Sequence, residues 1–194
     1  MIAIIDYEAG NVKSLQFALE RLGVKSILTA DPKIIINAEK VIFPGQGAAA
    51  SAMKKLKDSG LDTLIPKLKQ PVLGICLGMQ LLCDFTEEGN VNALGIISGK
   101  VKRFSDNVKV PQMGWNTISG LQNPLFNNIK NYEFMYLIHS YFVPLLAETI
   151  AVSQYDLIYS VAVQKNNFYG VQFHPEKSSK AGQQILHNFL NLSP

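Results

Sequence analysis

Residues 71–80 read PVLGICLGMQ, and no other stretch of the chain says as much about its fold. The apolar run Pro71-Val72-Leu73 leads into Gly74-Ile75-Cys76-Leu77-Gly78, which has the G-x-S-x-G pattern of a nucleophile elbow with cysteine in place of serine. Such an elbow consists of a buried strand, a sharp turn that carries the reactive residue, and a helix. Glycines on both sides of the turn let the strand and the helix approach closely. The stretch therefore predicts an α/β fold with Cys76 at the turn.

A cysteine at this position is suited to covalent catalysis. The turn forces its central residue into a strained backbone conformation. The thiol of Cys76 would lie at the N-terminus of the following helix, where the helix dipole favours the thiolate. Because the thiolate is the nucleophilic form, the sequence predicts that Cys76 forms a covalent intermediate.

The composition argues against several classes of protein. The chain has 194 residues, of which 47% are hydrophobic and 17% charged, as is typical of one globular domain over residues 1–194. No apolar run reaches the roughly 20 residues that cross a membrane, and the first residues lack the basic segment of a signal peptide. The net charge of +3 comes without a basic stretch interleaved with aromatic residues. We expect a cytoplasmic protein that binds neither membranes nor nucleic acid.

The two cysteines favour neither a disulfide nor a metal site. Cys76 and Cys83 would lie on one predicted helix, about 10 Å apart along its axis, which is too far for a disulfide. Two thiols without nearby histidines are also too few ligands for a structural zinc ion. We therefore expect no metal and interpret Cys83 as a core residue.

Strand and helix patterns alternate along the first half of the chain, which predicts a parallel sheet with helices on both faces. Gly23 is interpreted as a helix C-cap and Asp31-Pro32 as a turn. The elements predicted for this half are strands at 2–5, 25–28, 40–43 and 72–75, and helices at 12–22 and 48–57.

The second half is richer in strands, and only residues 179–192 predict a helix. The whole pattern predicts a flavodoxin-like, open and mostly parallel sheet with β-rich insertions in the second half. The strands predicted here are 101–104, 115–118, 135–143, 150–154, 161–163 and 169–173.

A nucleophilic cysteine needs a base, and the chain has three histidines. His187 lies in the closing helix and is interpreted as structural or exposed, and His139 as a strand histidine. His174 directly follows a predicted strand and precedes Pro175-Glu176, and ligand sites collect at strand ends in open α/β sheets. We predict His174 as the base and Glu176 as the group that orients it. A simple turn with a surface glutamate is the alternative.

A second glycine loop, Pro44-Gly45-Gln46-Gly47, follows the predicted strand at 40–43. It matches the dinucleotide-binding fingerprint in form, but no acidic residue ends a strand about twenty residues later. We therefore expect no nucleotide cofactor. Backbone N–H groups of this loop, with that of Leu77, could instead stabilise an oxyanion beside the cysteine.

Two motifs together resemble those of the class I, or triad, glutamine amidotransferases. Residues 74–80 are similar to the nucleophile motif of this family, and residues 170–176, Gly-Val-Gln-Phe-His-Pro-Glu, to its histidine–glutamate motif. Shorter segments extend the resemblance over nearly the whole chain to glutaminase subunits of histidine biosynthesis. These segments are Asp6-Tyr7, Gly10-Asn11, 111–116, 139–141 and Lys177-Ser178.

The resemblance implies hydrolysis of glutamine to glutamate and ammonia without a cofactor. Cys76 would attack the side-chain amide, and His174, oriented by Glu176, would protonate the departing ammonia before water cleaves the thioester. The residues that the resemblance assigns to the oxyanion and to the substrate are Gly45, Gln46, Gly47, Leu77, Gln80, His139, Ser140 and Tyr141.

The resemblance also implies a partner. The ammonia would pass, within a heterodimer, to a separate (β/α)₈-barrel cyclase subunit that makes imidazole glycerol phosphate and an aminoimidazole carboxamide ribotide. In this family glutamine hydrolysis is weak until the partner binds its own substrate, so the loop at 45–47 is expected to reorient in the liganded complex. The residues expected at the interface are Asn11, Trp115, Tyr136 and Lys177.

Two positions depart from the family pattern. Glu8 stands where glycine is more common, and Gln46 where a small apolar residue is common. Neither change removes a triad residue or a loop glycine, so activity is expected. Three alternatives stay open: a glutaminase paralogue that supplies another amidation pathway, such as nonulosonic acid or lipopolysaccharide; a catalytically silent interaction subunit; and a cysteine hydrolase with a similar elbow.

Overall fold

The computed structural model of the chain describes residues 1–8 and 12–193, and it confirms the predicted α/β fold. The strands are β1 (Ile2–Ile5), β2 (Ser26–Thr29), β3 (Lys40–Phe43), β4 (Val72–Ile75), β5 (Cys83–Thr86), β6 (Val91–Asn92), β7 (Ile97–Arg103), β8 (Gln112–Ile118), β9 (Glu133–His139), β10 (Tyr141–Phe142), β11 (Thr149–Gln154), β12 (Ile158–Lys165) and β13 (Phe168–Val171). The helices are α1 (Lys13–Arg21), α2 (Pro32–Asn37), α3 (Ala49–Asp58), α4 (Leu61–Leu64), α5 (Leu77–Leu81) and α6 (Ser179–Leu190). Short 3₁₀ helices cover Ile65–Lys67, Pro124–Phe126 and Pro175–Lys177.

The largest sheet has seven strands in the order β11-β12-β13-β4-β3-β1-β2. The five strands from β13 to β2 are parallel and reproduce the flavodoxin-like order. β12 and β11 extend one edge as antiparallel strands. Because β3, β4 and β13 are parallel neighbours, the segments that follow them meet at one edge of the sheet, where ligand sites form in such folds.

Side chains from both faces of this sheet are buried. Alternate residues of β1 point to opposite sides, so that Ile2 and Ile4 enter one core while Ala3 and Ile5 enter the other. Helices α1 and α6 contribute to the first core, and α2, α3, α4 and α5 to the second. This two-sided burial explains why the parallel strands are continuous apolar runs in the sequence.

The second half of the chain adds two smaller sheets. One has four strands in the order β10-β7-β5-β6. The other, which we call the ribbon, pairs β8 with β9 in antiparallel register from Gln112 opposite His139 to Ile118 opposite Glu133. The ribbon buries Met135 on one face and exposes residues such as Phe134 on the other.

Three local predictions were wrong. Asp31-Pro32 is the start of α2, because the Asp31 side chain accepts a hydrogen bond from the Lys33 N–H (2.8 Å) and proline fits the first helical turn. Cys76 and Cys83 do not share a helix, because α5 ends at Leu81 and Cys83 begins β5; both thiols are free. The strand predicted over 135–143 is interrupted at Ser140.

Two kinds of feature are absent from residues 1–8 and 12–193. No helix there has both the length and the apolar character needed to cross a membrane. The same residues hold no group of three or more histidine, cysteine, aspartate or glutamate side chains that could bind a metal ion.

Close backbone contacts seat α5 against the sheet, and glycines make them possible. A Cβ atom on Gly78 would lie 2.0 Å from the Phe43 carbonyl oxygen, and one on Gly74 would lie 2.8 Å from the Gly78 carbonyl. Real Cβ atoms do not approach backbone so closely, so both positions require glycine. The two glycines of the elbow pattern therefore set the distance between α5 and the strands β3 and β4.

We predict that Gly78→Ala lowers the free energy of unfolding by about 3 kcal/mol, because the new methyl group must push α5 away from β3. Denaturant titration followed by circular dichroism measures this loss. Gly99→Ala is the matched control, since its Cβ would meet only the end of the Leu146 side chain, which can rotate. Equal stability of the two variants would contradict the prediction.

Candidate active site

Cys76 lies between β4 and α5 in a strained backbone conformation, as the elbow pattern predicts. Its φ is +54° and its ψ −111°, values that a residue with a Cβ atom rarely adopts. The Cys76 N–H donates to the Val171 carbonyl (2.8 Å), which fixes the turn to the end of β13. Strain held in place by neighbouring hydrogen bonds is typical of functional sites.

The Cys76 thiol faces three groups. It donates a hydrogen bond to the Ile138 carbonyl (3.7 Å) and accepts one from the side-chain amide of Gln172 (3.7 Å). It also interacts electrostatically with the imidazole of His174, which lines the same cavity. The thiol is thus held between the end of β13 and the end of the ribbon.

His174 and Glu176 form a buried pair. The imidazole Nδ1 lies 2.8 Å from Glu176 Oε1, and both side chains are less than one-tenth exposed. Because a carboxylate only accepts, Nδ1 carries the proton and Nε2 is left for the thiol. Burial alone would lower the pKa of His174, but its hydrogen bonds to Cys76 and Glu176 outweigh burial and raise that pKa to about 10. The imidazole is therefore held in its charged form at neutral pH.

Backbone contacts with the ribbon hold the segment that carries this pair. The His174 N–H donates to the Tyr136 carbonyl (2.9 Å), and the Ser178 hydroxyl donates to the His174 carbonyl (2.7 Å). The same hydroxyl accepts from the Tyr136 N–H (2.9 Å). One residue of β9 thus fixes both ends of the segment 174–178 through its main chain.

The glycine loop predicted to stabilise an oxyanion lies beside the elbow. A Cβ atom on Gly45 would lie 2.5 Å from the Gly78 nitrogen, and Gly47 has a φ of +92°, where glycine is strongly favoured. The Tyr7 hydroxyl donates to the Pro44 carbonyl (2.7 Å), which supports the start of the loop. Burial, together with the nearby Cys76, raises the pKa of Tyr7, so the hydroxyl keeps its proton.

A cavity of about 350 Å³ joins these elements. It brings together Cys76 and His174 with all eight residues that were predicted for the oxyanion and the substrate. Those eight are Gly45, Gln46, Gly47, Leu77, Gln80, His139, Ser140 and Tyr141. Glu176 does not line this cavity and lies behind His174, next to a smaller space of about 20 Å³.

His139 lines the cavity, and its imidazole is neutral. Its Nδ1 lies 2.7 Å from the Tyr141 carbonyl, so Nδ1 carries the proton, and its Nε2 lies 3.3 Å from the Tyr159 hydroxyl. Burial lowers the pKa of His139 to about 4, although the hydrogen bond to Tyr141 opposes the shift; the nearby His174 lowers it further. His139 therefore supports the strand end around Tyr141 and does not serve as a base.

The sequence analysis did not identify two residues of the site, one that lines the cavity and one buried behind its wall. Glu88 lines the cavity, and its carboxylate accepts a hydrogen bond from the Ala49 N–H (3.0 Å); burial raises the pKa of this carboxyl. Gln172 is fully buried and contacts the Cys76 sulfur. Glu88 lies after a strand in a part of the sequence without a recognisable motif, so no pattern pointed to it. Gln172 lies inside the histidine–glutamate motif at 170–176.

Three of the four residues predicted for a partner interface form one cluster. The rings of Trp115 and Tyr136 pack edge to face with centroids 6.0 Å apart, and the Lys177 ammonium lies 6.0 Å from the Tyr136 ring. Trp115, the only tryptophan of the chain, is 53% exposed, which is unusual for so large an aromatic side chain. Lys177 also lines the cavity, so the cluster borders the site. Asn11 lies outside the described residues.

Comparisons with known proteins agree with this geometry. The family model "Glutamine amidotransferase class-I" matches residues 3–192. Among curated proteins, the imidazole glycerol phosphate synthase subunit HisH of Bacteroides fragilis (strain YCH46) is 53% identical, over 98% of this chain and 99% of its own length. The HisH subunit of Haemophilus influenzae (strain KW20 / Rd) is 47% identical, over 100% of this chain and 98% of its own.

Solved structures are similar in fold. A crystal structure described as a glutamine amidotransferase has a TM-score of 0.75 at 18% identity, over 98% of this chain and 97% of that one. The structure of PurLQS from Thermotoga maritima has a TM-score of 0.72 at 17% identity, over 98% and 97% of the two chains. At such identities the likeness concerns the fold alone.

We predict that His139 makes stability depend on pH between 6.5 and 4. The native state keeps this imidazole neutral while the unfolded chain protonates it, so the free energy of unfolding falls by up to about 3 kcal/mol as the pH is lowered through this window. His139→Gln removes that contribution, and urea titrations at several pH values measure it.

The matched control is His187→Gln, which removes an exposed histidine of α6. This control is expected to keep the pH dependence of the wild type. A His139→Gln curve that falls as steeply as the wild-type curve over this window would contradict the assignment of a neutral imidazole.

Proposed function

This chain belongs to the class I glutamine amidotransferase family, and we propose that it uses Cys76, His174 and Glu176 to hydrolyse glutamine and supply ammonia to a cyclase subunit in histidine biosynthesis. One observation carries the proposal: an elbow cysteine and a buried, carboxylate-oriented histidine share one cavity. The full-length HisH relatives support the pathway. On this proposal, residues 1–194 form a single glutaminase domain that acts in the cytoplasm.

The first half of the reaction forms a thioester. The Cys76 thiolate attacks the carbonyl carbon of the glutamine side-chain amide, and a tetrahedral oxyanion results. His174 then gives its Nε2 proton to the amide nitrogen as the C–N bond breaks, and ammonia leaves. The raised pKa of His174 suits this role, because the imidazolium has a proton to give at neutral pH.

The second half regenerates the enzyme. A water molecule attacks the thioester carbon while the neutral His174 accepts one of its protons. The C–S bond of the second tetrahedral intermediate then breaks, which releases glutamate and returns Cys76 to the thiolate. Glu176 keeps the ring in the tautomer and orientation that both halves need.

The oxyanion requires N–H donors that point to one place. The Leu77 N–H at the start of α5 and the backbone of the loop 45–47 are the candidates that border the cavity. Gly47 has a φ of +92°, and because it is a glycine it can change its backbone conformation at low cost. On this proposal the loop completes the oxyanion hole only when the partner has bound its own substrate.

The cavity can also orient a free amino acid. Glutamine carries an α-ammonium group, and the Glu88 carboxylate is the acidic side chain that lines the cavity. Gln80, Ser140 and Tyr141 line the same cavity and are the proposed neighbours of the rest of the substrate. Charge pairing with Glu88 would help to hold the substrate with its side-chain amide at the thiol.

The exposed cluster of Trp115, Tyr136 and Lys177 is the proposed contact with the cyclase, a (β/α)₈ barrel in the heterodimer. Exposed aromatic side chains beside a cation are typical of the energetic centres of interfaces. Since Lys177 lines the cavity as well, a partner on this cluster would cover the route by which ammonia leaves.

We predict that Cys76→Ala lowers glutamine hydrolysis at least about 10³-fold, because the covalent route is lost. Glutamate release is measured with and without the cyclase and its nucleotide substrate. Cys83→Ala is the control, since burial raises the pKa of Cys83 to about 12 and keeps that thiol inert. A glutamine-analogue electrophile is expected to label Cys76 with one equivalent and Cys83 not at all.

Retained hydrolysis in Cys76→Ala would overturn the mechanism. Full-rate hydrolysis by the isolated wild-type chain would overturn partner-dependent completion of the oxyanion hole. Formation of imidazole glycerol phosphate from glutamine separates histidine biosynthesis from another amidation pathway.

We predict that Trp115→Ala weakens binding to the cyclase by at least about tenfold, because an exposed aromatic anchor is lost. Calorimetric titration measures the affinity. Leu145→Ala removes a side chain of nearly equal exposure, 55% against 53%, away from the cluster, and is expected to bind as the wild type does. Equal losses in both variants would argue against this surface.

A further inference from the structure

Gln172 is a buried polar residue that the mechanism above does not use. It directly follows β13, is fully buried, and its N–H donates to the Val161 carbonyl (2.8 Å). Its side chain points from there toward the elbow, where it contacts both the Cys76 sulfur and the Gln80 amide. Burying a glutamine amide costs free energy unless the amide is hydrogen-bonded. The hydrogen-bond partners of Gln172 therefore indicate its role.

The hydrogen-bond network fixes which end of the Gln172 amide faces the sulfur. Gln80 Nε2 donates to the Tyr141 carbonyl (2.8 Å) and to Gln172 Oε1 (2.9 Å). With its oxygen engaged by Gln80, Gln172 turns its NH₂ group toward Cys76, and Nε2 lies 3.7 Å from Sγ. The same Tyr141 carbonyl also accepts from His139 Nδ1 (2.7 Å), which anchors this chain of hydrogen bonds in the core.

The partners of the sulfur differ in which protonation state they favour. The Ile138 carbonyl only accepts, so it stabilises the thiol and not the thiolate. The Gln172 amide donates, so it stabilises a negative sulfur. The helix that follows Cys76 has only five residues, which limits what its dipole contributes. Besides the charged His174 imidazole, the Gln172 amide is therefore the neutral donor that supports the thiolate.

We propose that Gln172 is a further catalytic residue, whose side-chain amide donates a hydrogen bond to the Cys76 sulfur and stabilises the thiolate for attack on glutamine. The inference rests on the proposed role of Cys76 as the nucleophile. Gln172 transfers no proton, since the amide keeps both of its hydrogens throughout. Its hydrogen bond serves the thiolate before attack and again when the C–S bond of the second intermediate breaks.

The test compares Gln172→Met with the wild type, because methionine has a similar length and cannot donate. The rate of Cys76 alkylation by iodoacetamide is followed by mass spectrometry as a function of pH, both for the chain alone and in its complex with the cyclase. We expect the midpoint of the alkylation profile to move upward by about one to two pH units, and kcat for glutamine to fall about ten- to a hundredfold.

Gln112→Met is the matched control. Gln112 is also buried, but its side chain accepts from the Tyr159 hydroxyl (3.0 Å) and is not a hydrogen-bond partner of the sulfur. Its alkylation midpoint is expected to equal that of the wild type. The titratable side chains around the thiol, which neither substitution changes, are Tyr7, Glu88, His139, Tyr141, His174 and Lys177.

Two further measurements guard against a variant that does not fold. Gln172→Glu keeps the size of the side chain and places an acceptor beside the sulfur, so its midpoint is expected to rise at least as far. In the wild type, the side-chain ¹H–¹⁵N signals of Gln172 are expected to shift with the same midpoint as Cys76 alkylation.

An unchanged midpoint in both folded variants, or Gln172 side-chain signals that do not follow ionisation of Cys76, would overturn the role of Gln172. These results leave the triad intact if wild-type hydrolysis still depends on Cys76. Loss of that dependence would instead overturn the proposed function itself.

Discussion

The Phe43 carbonyl at the end of β3 packs so closely on Gly78 that a Cβ atom there would lie only 2.0 Å from the carbonyl oxygen. This contact sets the geometry of the site. It seats α5 directly on the strand, which brings the loop after β3 next to the start of the helix. Because β4 and β13 are parallel neighbours of β3, Cys76, the loop 45–47 and His174 then emerge at one edge. The rest of the site depends on the absence of a side chain at Gly78.

The groups around the sulfur divide into a charged side and a neutral side. His174 and Glu176 form the charged side, in which one carboxylate fixes the proton on the far nitrogen of the ring. Gln172 and Gln80 form the neutral side, in which each amide fixes the orientation of the next. Both sides are buried, so their hydrogen bonds act in a medium where water does not compete.

The sheet was predicted correctly, and the residues of the proposed triad were singled out, because each rests on a local pattern. The apolar runs of β1, β3 and β4, and the glycines around Cys76, carry their structural meaning within a few residues. The prediction that Cys76 and Cys83 share one helix was wrong because α5 ends at Leu81 and the chain continues into β5. The position of the Glu88 carboxylate depends on a hydrogen bond from Ala49, which is 39 residues away, so no local sequence pattern could predict it.

Tyr136 belongs to two environments at once. Its ring stands on the outer surface beside Trp115 and Lys177, while its peptide groups hold the main chain of His174 and the hydroxyl of Ser178. Only the length of one residue therefore separates the surface from the segment that carries the His174 imidazole. Two main-chain hydrogen bonds of Tyr136 tie β9 to the segment 174–178, so a partner that shifted β9 would also shift the imidazole on that segment.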